Sequence, residues 1–585
     1  MAHRAHLFSL RIGHAVREAC IAETYSVNRL GRDALAGLTI GIIAIPLAMA
    51  LAIASGVAPQ YGLYTAAIAG FIVALTGGSR YSITGPTAAF VVILYPIAQK
   101  YGLGGLLMAT VLAGILMILM AFLRLGRFIE YIPESVTLGF TGGIAIVIAT
   151  LQIKDFFALT LAELPESYLG KLDILIRALP EAYWPGVLVA MVTLVIMVLW
   201  PRLRTTIPAH LPAVIVASLV AWGLNQSGFS VETIGSRFTY TLPDGSFGAG
   251  VPPFLPDFQW PWLQAGPDGD RLELNWALVR DLLPAAFAIA MLGAIESLLC
   301  AMVLDGMSGR RHSANSELLG QGIGNVVAPF FGGITATAAI ARSAANVRAH
   351  AESPVAAMIH GLVVLLALVA LSGVLAYLPM PAMAAMLMVV AWNMSEAPKS
   401  IKLLKTAPRA DIWVFITCIS LTVLFDMVIA ITAGILLASF LFMKEIAEMT
   451  RITDVTNNSR LVPVDLPEGW GVYKITGPLF FAAADRIFGE LSVLSERKKG
   501  ILLYLDGVPI LDAGGVAALN KLISKCQRDQ TRLILADLQF QPLRTMAKAK
   551  MKPIVGVTAF YSTLREALDS LVLPKVPWSS EERGG

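Results

Sequence analysis

The sequence predicts an α-helical membrane protein of fourteen spans, followed by a small α/β domain in water. Three observations predict this fold class: the composition, the spacing of long apolar segments, and a change of pattern near residue 470. Of the 585 residues, 56% are hydrophobic and 14% are charged, and the mean hydropathy is +0.70. Soluble globular proteins contain about 25% charged residues, because much of their surface faces water. The composition therefore excludes a soluble enzyme, a nucleic-acid-binding protein and a secreted disulfide-bonded domain as descriptions of the whole chain.

Charge and cysteine content exclude further kinds of site. The 44 basic and 40 acidic side chains give a net charge of +4, which is too small to indicate a nucleic-acid partner. The four cysteines, Cys20, Cys300, Cys418 and Cys526, show no paired or CxxC spacing, and the seven histidines form no ligand pattern. No disulfide and no metal site is therefore expected. The sequence also lacks a GxxxxGK[ST] phosphate-binding motif, and no cofactor is expected.

The apolar segments define the predicted spans, since a helix that crosses a bilayer needs about 20 apolar residues. Two of the fourteen segments, near 86–98 and 341–350, are short. The other twelve are 34–56, 61–77, 102–123, 132–150, 186–200, 210–225, 282–303, 314–331, 354–376, 380–394, 411–426 and 428–447. Arginine and lysine concentrate in alternate connections, which predicts that both termini are cytoplasmic.

Composition divides the chain into five parts. Residues 1–33 are rich in arginine and lack an apolar core, so we expect a cytoplasmic lead-in. Residues 34–450 would form the membrane domain and 451–469 a linker. From 470 to 575, short apolar strands alternate with helix-like stretches, which indicates a small sheet with helices. The predicted strands are 472–475, 501–508 and 532–538, and the predicted helices are 482–495, 514–526 and 562–571. Residues 576–585 are expected to be a disordered tail.

A weak internal repeat indicates where a ligand binds. Each copy holds a glycine pair, Gly77-Gly78 or Gly332-Gly333, followed by a polar stretch and an apolar segment too short to cross alone. Seven spans per copy is an odd number, so the second copy is inverted and the two short helices meet N-terminus toward N-terminus. Helix N-termini carry free N–H groups and partial positive charge, which together favour an anion site. The alternative is that the glycines only allow close helix packing.

Two charged residues in apolar segments are candidate functional residues. Arg342 begins the second short helix, where a cation opposes the helix dipole, so we expect an anionic partner: a transported carboxylate or a protein acid. The alternative is that Arg342 snorkels to the cytoplasmic face, which is the favoured interpretation of Arg348. Glu296 lies in mid-span, where acids often form proton relays. The sequence thus favours a proton-carrying Glu296, with a permanent ion pair to Arg342 as the alternative.

Several runs of residues resemble the SulP anion transporter family. They are Pro46–Ala50, Ser55–Tyr64, Gly85–Phe90, Gly293–Leu299 and Ala341–Asn346. The resemblance covers about residues 30–572 and looks closest to the bacterial C4-dicarboxylic acid transporters of the family. It implies a seven-plus-seven inverted repeat with two half-helices, core and gate domains in the membrane, and a cytoplasmic STAS domain. It also implies a homodimer in the bacterial inner membrane that transports by an elevator-like motion.

The resemblance further implies which residues form the site. The lining positions would be Leu47, Leu51, Thr87, Ala88, Ile340, Ala341 and Arg342, and Glu296 would couple a cation. The sodium-dependent bicarbonate branch has Asp and Thr where this chain has Glu296 and Cys300, and Thr at the position of Ile340. Because a hard cation needs oxygen ligands, we expect proton rather than sodium coupling. In the STAS domain, Gly514 replaces the phosphorylatable serine of the related antagonist proteins.

These patterns predict a secondary active transporter for proton-coupled uptake of C4-dicarboxylates such as succinate, fumarate and aspartate. Its partners would be the anion, the proton, membrane lipid, a second copy of the chain and a cytoplasmic partner of the STAS domain. One alternative is a bicarbonate or sulfate transporter of the same fold. Another is a membrane sensor that signals through its STAS domain. An enzyme is not expected, because the sequence shows no nucleophile–base pair and no metal cluster.

Overall fold

The structure is a computed structural model that describes most of the chain in two compact units, Met1–Ile435 and Leu436–Gly585. The described residues are 10–126, 132–161, 165, 167–203, 205, 207–242, 245–266, 269, 272, 274–425, 427–496 and 498–572. The tail predicted at 576–585 lies outside them.

The first unit is built from helices. One of them, α2, covers residues 59–76 in three pieces, Pro59–Tyr64, the π-helical turn Thr65–Ala69 and Gly70–Thr76. The others are α1 (Val27–Ala54), α3 (Ala88–Phe122), α4 (Glu134–Phe156), α5 (Tyr168–Ala178), α6 (Trp184–Leu199), α7 (His210–Gln226), α8 (Trp276–Ser308), α9 (Ala314–Val327), α10 (Ile340–Arg348), α11 (Val355–Leu375), α12 (Met380–Met394), α13 (Ala397–Thr406), α14 (Arg409–Leu424) and α15 (Met427–Met449), which continues into the second unit.

Each of the fourteen predicted segments overlaps a helix. Within the described residues, seven helical stretches are both long and apolar enough to cross a membrane. They are Val27–Ala54, Ala88–Phe122, Glu134–Phe156, Trp184–Leu203, Trp276–Ser308, Val355–Leu375 and Ile429–Met449. The membrane fold is therefore clear from length and hydropathy, and the count of fourteen spans stays a prediction.

The structure differs from the prediction where two predicted segments form one kinked helix. The segments 86–98 and 102–123 both lie in α3 and are separated only at Gly102, whose φ of +66° is not helical. A Cβ at this position would lie 2.5 Å from the carbonyl carbon of Gly266. Glycine is needed both for the left-handed backbone and for this close approach, so the first half-helix ends in a kink at Gly102.

The helix that carries the first predicted span, α1, begins before residue 33, at Val27 after the capping residue Ser26. Asp33 lies inside α1, fully buried, and its Oδ1 accepts the backbone N–H of Glu352 at 2.7 Å. The preceding segment is anchored by charge, since Arg80 donates two hydrogen bonds to Glu23 at 3.1 and 3.0 Å. These hydrogen bonds lower the pKa of the Glu23 carboxyl.

The first unit also contains two short antiparallel ladders. β1 (Thr84–Gly85) pairs with β4 (Thr337–Ala338), although more than 250 residues separate them in the chain. β2 (Thr239–Thr241) pairs with β3 (Phe247–Ala249) in the long connection between α7 and α8.

The second unit is a five-stranded sheet with helices. Its strands, in the spatial order β5-β6-β7-β8-β9, are β5 (Arg451–Asp454), β6 (Trp470–Thr476), β7 (Gly500–Gly507), β8 (Arg532–Ala536) and β9 (Thr558–Tyr561). The helices are α16 (Phe481–Ser495), α17 (Ala513–Arg528), α18 (Phe540–Lys548) and α19 (Leu564–Val572). β6 to β9 run parallel and β5 is antiparallel to β6.

The predicted linker 451–469 contains the first strand of this sheet. β5 buries little of its own surface, so its sequence carries no apolar run, and pairing with β6 is what holds it. β9 and α18 were also missed by the sequence reasoning. β6, β7 and β8 were predicted, because they are the buried strands and read as short apolar runs.

The loop that leads into α17 explains the glycine at position 514. Asp512 caps the helix by accepting the N–H of Gly515 at 2.7 Å, and its other oxygen accepts the N–H of Phe481 at 3.2 Å. This arrangement brings Phe481 so near that a Cβ at Gly514 would lie 2.7 Å from the Cβ of Phe481. A serine at position 514 would need this contact to open.

The glycine pairs of the repeat do allow close packing. A Cβ on Gly78 would lie 2.3 Å from the carbonyl oxygen of Ser313 and 2.7 Å from the backbone nitrogen of Glu317. In the second pair, Gly332 has a φ of +75°, and a Cβ on Gly333 would lie 2.9 Å from Ala328. The packing interpretation of the glycines is thus correct, and it holds together with the ladder that joins the two repeats.

We expect Gly78→Ala to lower the thermal unfolding temperature of the detergent-solubilised protein, because both nearest atoms are backbone and cannot move aside. Overpacking of this kind costs about 1–3 kcal/mol. The matched control is Gly31→Ala in α1, where no atom lies within 4 Å of the added Cβ and a helical Gly→Ala change stabilises by about 0.5–1 kcal/mol. Equal unfolding temperatures for the two variants would contradict the packing described.

Candidate anion-binding site

The β1–β4 ladder fixes the geometry of the site. Thr84 pairs with Ala338 and Gly85 with Thr337 in antiparallel register, and the ladder is extended by the N–H of Ala339, which donates to the carbonyl of Ile83 at 3.0 Å. β1 leads into α3 and β4 leads into α10. Because the strands are antiparallel, the two helices leave the ladder in opposite directions, and both N-termini point back at it.

Both helix starts leave backbone donors open. Thr87 and Ala339 are the N-cap residues of α3 and α10, and neither helix has a side-chain cap hydrogen bond. The first turn of a helix has N–H groups without intrahelical partners and a partial positive charge of about half a unit. The prediction that the two short segments begin next to each other is confirmed by the ladder, and their position favours an anion.

Arg342 adds a full positive charge to this place. Its side chain is 3% exposed, and its Nη2 donates to the carbonyl of Pro86, directly before α3. Its Nε and Nη1 are buried with no hydrogen-bond partner among the described residues, and no described carboxylate pairs with it within 4.0 Å. Snorkelling to the surface therefore does not describe Arg342, whereas Arg348 at the end of the same helix is exposed.

Glu296 reaches the same place from α8. Its Oε2 accepts the hydroxyl hydrogen of Thr87 at 3.1 Å, so the permanent ion pair between Glu296 and Arg342 is not formed in this structure. The acid and the cation instead contact two adjacent residues, Thr87 and Pro86, at the start of α3. A change in the charge or position of either group can therefore affect the other through this dipeptide.

The other predicted lining residues differ in exposure. Leu47, Leu51 and Ala88 are 8%, 2% and 5% exposed and belong to one buried apolar cluster. Ile340 is 41% exposed and Ala341 is also exposed. α1, which carries the two leucines, packs against α10. Among the predicted lining residues, Leu47, Leu51 and Ala88 are therefore enclosed and apolar, and the first residues of α10 are open.

A polar stripe on α9 that the sequence reasoning only partly recognised braces both strands. Glu317 accepts the N–H groups of Gly78 and Ser79 at 3.0 and 2.9 Å. Gln321 donates to Glu317 at 3.1 Å and to the hydroxyl of Thr84 at 2.9 Å. All these groups are buried.

The third residue of the stripe, Asn325, holds the second strand. Its side chain donates to the carbonyl of Ala336 at 2.9 Å and accepts the N–H of Ala336 at 2.8 Å. Gln321 and Asn325 lie four residues apart in the sequence and so share one helical face, whereas Glu317 was missed. The spacing i, i+4, i+8 of three polar residues in an apolar span is the signal that could have found it.

Side chains of α10 and α8 complete the frame. Ser343 accepts the N–H of Ile83 at 2.8 Å, and Asn346 donates to the carbonyl of Tyr81 at 3.1 Å. Ser297 of α8 shares a hydrogen bond of 2.6 Å with the hydroxyl of Thr337. Within the described residues, no group of three or more His, Cys, Asp or Glu side chains could hold a metal ion.

Comparison with known proteins identifies the family. Residues 30–420 match the profile of the sulfate permease family, and residues 462–567 match the STAS domain. The chain belongs to the sulfate permease family. It is a membrane anion transporter of this family with a C-terminal STAS domain, which agrees with the resemblance to the SulP transporters.

Full-length relatives support the same assignment. A putative sulfate transporter of Bacillus subtilis, YvdB, is 37% identical over 538 residues, which are 92% of this chain and 97% of the relative. The bicarbonate transporter BicA of Picosynechococcus is 25% identical over 566 residues, which are 93% and 95% of the two chains.

Solved structures show the fold of this family member. The transmembrane domain of a cyanobacterial bicarbonate transporter, BicA, has a TM-score of 0.60 and 26% identity, with 69% of this chain and 98% of that chain covered. The overall structure of SLC26A9 has a TM-score of 0.77 and covers 95% and 92% of the two chains. At 17% identity the second match shows the fold alone.

We expect Asn325→Leu to destabilise the sulfate permease fold, because it leaves the N–H and the carbonyl of Ala336 buried without partners. Each unsatisfied group costs about 1–3 kcal/mol. The matched control is Thr193→Val on α6, a fully buried residue whose hydroxyl donates only to the carbonyl of Val189 in its own helix. Thermal unfolding in detergent measures both. If Asn325→Leu lowers the unfolding temperature no more than the control does, the hydrogen bonds of Asn325 are unimportant for stability.

Proposed function

We propose that the protein is a secondary active transporter that takes up C4-dicarboxylates such as succinate, fumarate and aspartate together with protons. The observation that carries this proposal is Arg342, a buried cation where the N-termini of two half-helices meet. Two of its donor nitrogens have no hydrogen-bond partner in the described part of the chain. A carboxylate is planar and has two oxygens, which suits the N–H fork of a guanidinium.

The apolar side of the site favours a dicarboxylate over a compact inorganic anion. Leu47 and Leu51 lie in one buried apolar cluster with Ala88 at the start of α3, and a C4-dicarboxylate has a two-carbon middle section that could contact such hydrocarbon. Sulfate and bicarbonate have no such section. The resemblance of the sequence motifs to the C4-dicarboxylic acid transporters supports the same choice.

Proton coupling rests on Glu296. Its carboxylate is held by one hydroxyl donor, from Thr87, and not by a cation that would keep it ionised permanently. A sodium ion needs several oxygen ligands, and the neighbouring positions Cys300 and Ile340 offer a thiol and a hydrocarbon. A proton needs only the carboxyl group itself.

The wider architecture of the proposal follows the family. We place the protein in the bacterial inner membrane as a homodimer with both termini in the cytoplasm. The core domain, which holds the site, would move against the gate domain as an elevator. The STAS domain would contact a cytoplasmic partner.

A bicarbonate or sulfate transporter is the alternative on the same fold, and the names of the relatives YvdB and BicA favour it. Counterflow in liposomes decides between them: vesicles that contain the purified protein are loaded with unlabelled succinate, bicarbonate or sulfate and take up the labelled anion. We expect accumulation of succinate. Accumulation of sulfate or bicarbonate alone would replace the proposed substrate.

Arg342→Ala should weaken the binding of succinate, because the charge-assisted hydrogen bonds of the guanidinium are lost. The expected loss is about 1.5–3 kcal/mol, which corresponds to a dissociation constant about 10–150 times larger. Isothermal titration calorimetry on the full chain measures it. The control is Arg348→Ala, which removes the same charge from the same helix at an exposed position. A dissociation constant that is unchanged in Arg342→Ala would remove this residue from the site.

Glu296→Gln should abolish the dependence of succinate accumulation on an inward proton gradient while exchange of succinate for succinate continues. The amide resembles the protonated acid in shape but cannot gain or lose the proton. Uptake into liposomes with and without a pH gradient measures this effect, and Glu134→Gln, an exposed acid at the start of α4, is the control. Uptake that still responds to the gradient in Glu296→Gln would refute the proposed role.

A further inference from the structure

Thr87 has an unusual position for an N-cap residue. Threonine at a helix start normally uses its side-chain oxygen to accept a backbone N–H of the first turn. In α3 this bond is not made, and the hydroxyl donates instead to Glu296 on another helix at 3.1 Å. Thr87 is only partly buried, and its hydroxyl contacts Glu296.

The hydroxyl of Thr87 has a single hydrogen to donate. An ionised carboxylate only accepts hydrogen bonds, so ionised Glu296 takes this hydrogen and leaves oxygen lone pairs facing the helix N-terminus. A protonated carboxyl group can donate. Its O–H can then donate to the Thr87 oxygen, which frees the Thr87 hydrogen to turn toward an anion at the start of α3.

We propose that Thr87 is the positioning residue that links proton binding at Glu296 to anion binding at the half-helix N-termini. One proton from solution binds the carboxylate of Glu296, no covalent bond other than O–H forms or breaks, and the hydroxyl of Thr87 rotates. The site then offers the anion one more donor and one less lone pair. This inference rests on the proposed function and names the residue through which its two ligands are coupled.

The surroundings of Glu296 contain few other groups that could carry the link. The Cys300 thiol, four residues along α8 from Glu296, lies within electrostatic range of Glu296, of Arg342 on α10 and of Glu317 on α9. Arg342 forms no ion pair with Glu296, and Glu317 is held by Gly78, Ser79 and Gln321. The Thr87 hydroxyl donates a hydrogen bond to the side chain of Glu296.

The test measures the dissociation constant of succinate at several pH values with full-length wild type, Thr87→Val and Thr87→Ser in detergent. Wild type should bind more tightly as the pH falls, and Thr87→Ser should keep this response because it keeps the hydroxyl. Thr87→Val should bind at low pH only about as well as wild type at high pH. At low pH the dissociation constant of Thr87→Val should be about 10–150 times that of wild type. This factor corresponds to the loss of one hydrogen bond to a charged group, about 1.5–3 kcal/mol.

The outcomes separate this inference from the proposed function. If wild-type protein binds succinate equally well at every pH, and if succinate-driven proton uptake does not change with pH either, proton coupling itself is refuted. If the dissociation constant of succinate depends on pH equally in wild type and in Thr87→Val, only the role of Thr87 is overturned. Infrared spectra add a second readout, since the carboxyl C=O band assigned by its loss in Glu296→Gln should shift in Thr87→Val and not in Thr87→Ser.

Folding of the variants is checked by gel filtration and thermal unfolding. If Thr87→Val does not fold, Thr87→Ala replaces it, because Ala339 occupies the equivalent N-cap of α10 without a hydroxyl. A pH response that persists in Thr87→Ala overturns the inference, and its loss with retention in Thr87→Ser supports it.

Discussion

The structure depends on the pairing of two very short strands within a membrane domain. Backbone polar groups in a bilayer must find partners inside the protein, because lipid offers none. β1 and β4 pair with each other, and α9 satisfies several of the groups beside them: Glu317 accepts two N–H groups before β1, and Asn325 binds the peptide group before β4. One polar stripe therefore fixes where both half-helices begin.

The position of Arg342 indicates why this frame would favour an anion. A cation at a helix N-terminus is opposed by the dipole. Burial adds a desolvation cost, since two nitrogens of Arg342 have no partner among the residues that the structure describes. The single bond to the carbonyl of Pro86 offsets part of this cost. A bound carboxylate would supply the missing acceptors and the opposite charge, so ligand binding relieves an unfavourable interaction that the fold maintains.

The sequence revealed the parts of this site that depend on local patterns. Two glycine pairs, each before a segment too short to cross, indicated that the half-helices meet, and Arg342 and Glu296 stood out as charges in apolar runs. The strand β5 and the role of Glu317 were missed, since both are defined by partners far along the chain. An acid near the start of a helix resembles an ordinary favourable dipole interaction, and only the structure shows that Glu317 accepts from Gly78 and Ser79.

The hydrogen bonds around the ladder bear on how transport would proceed. Thr87 connects α3 to α8, Arg342 connects α10 to the start of α3, and Gln321 connects α9 to β1. α3 also packs along both α8 and α9. A motion that separated α8, α9 or α10 from β1 and the start of α3 would break these bonds. Two of them are buried, and each buried group left unpaired costs about 1–3 kcal/mol. A motion that carries α3, α8, α9 and α10 together breaks none of them, which is the physical reason that the proposed elevator suits a coupled site of this construction.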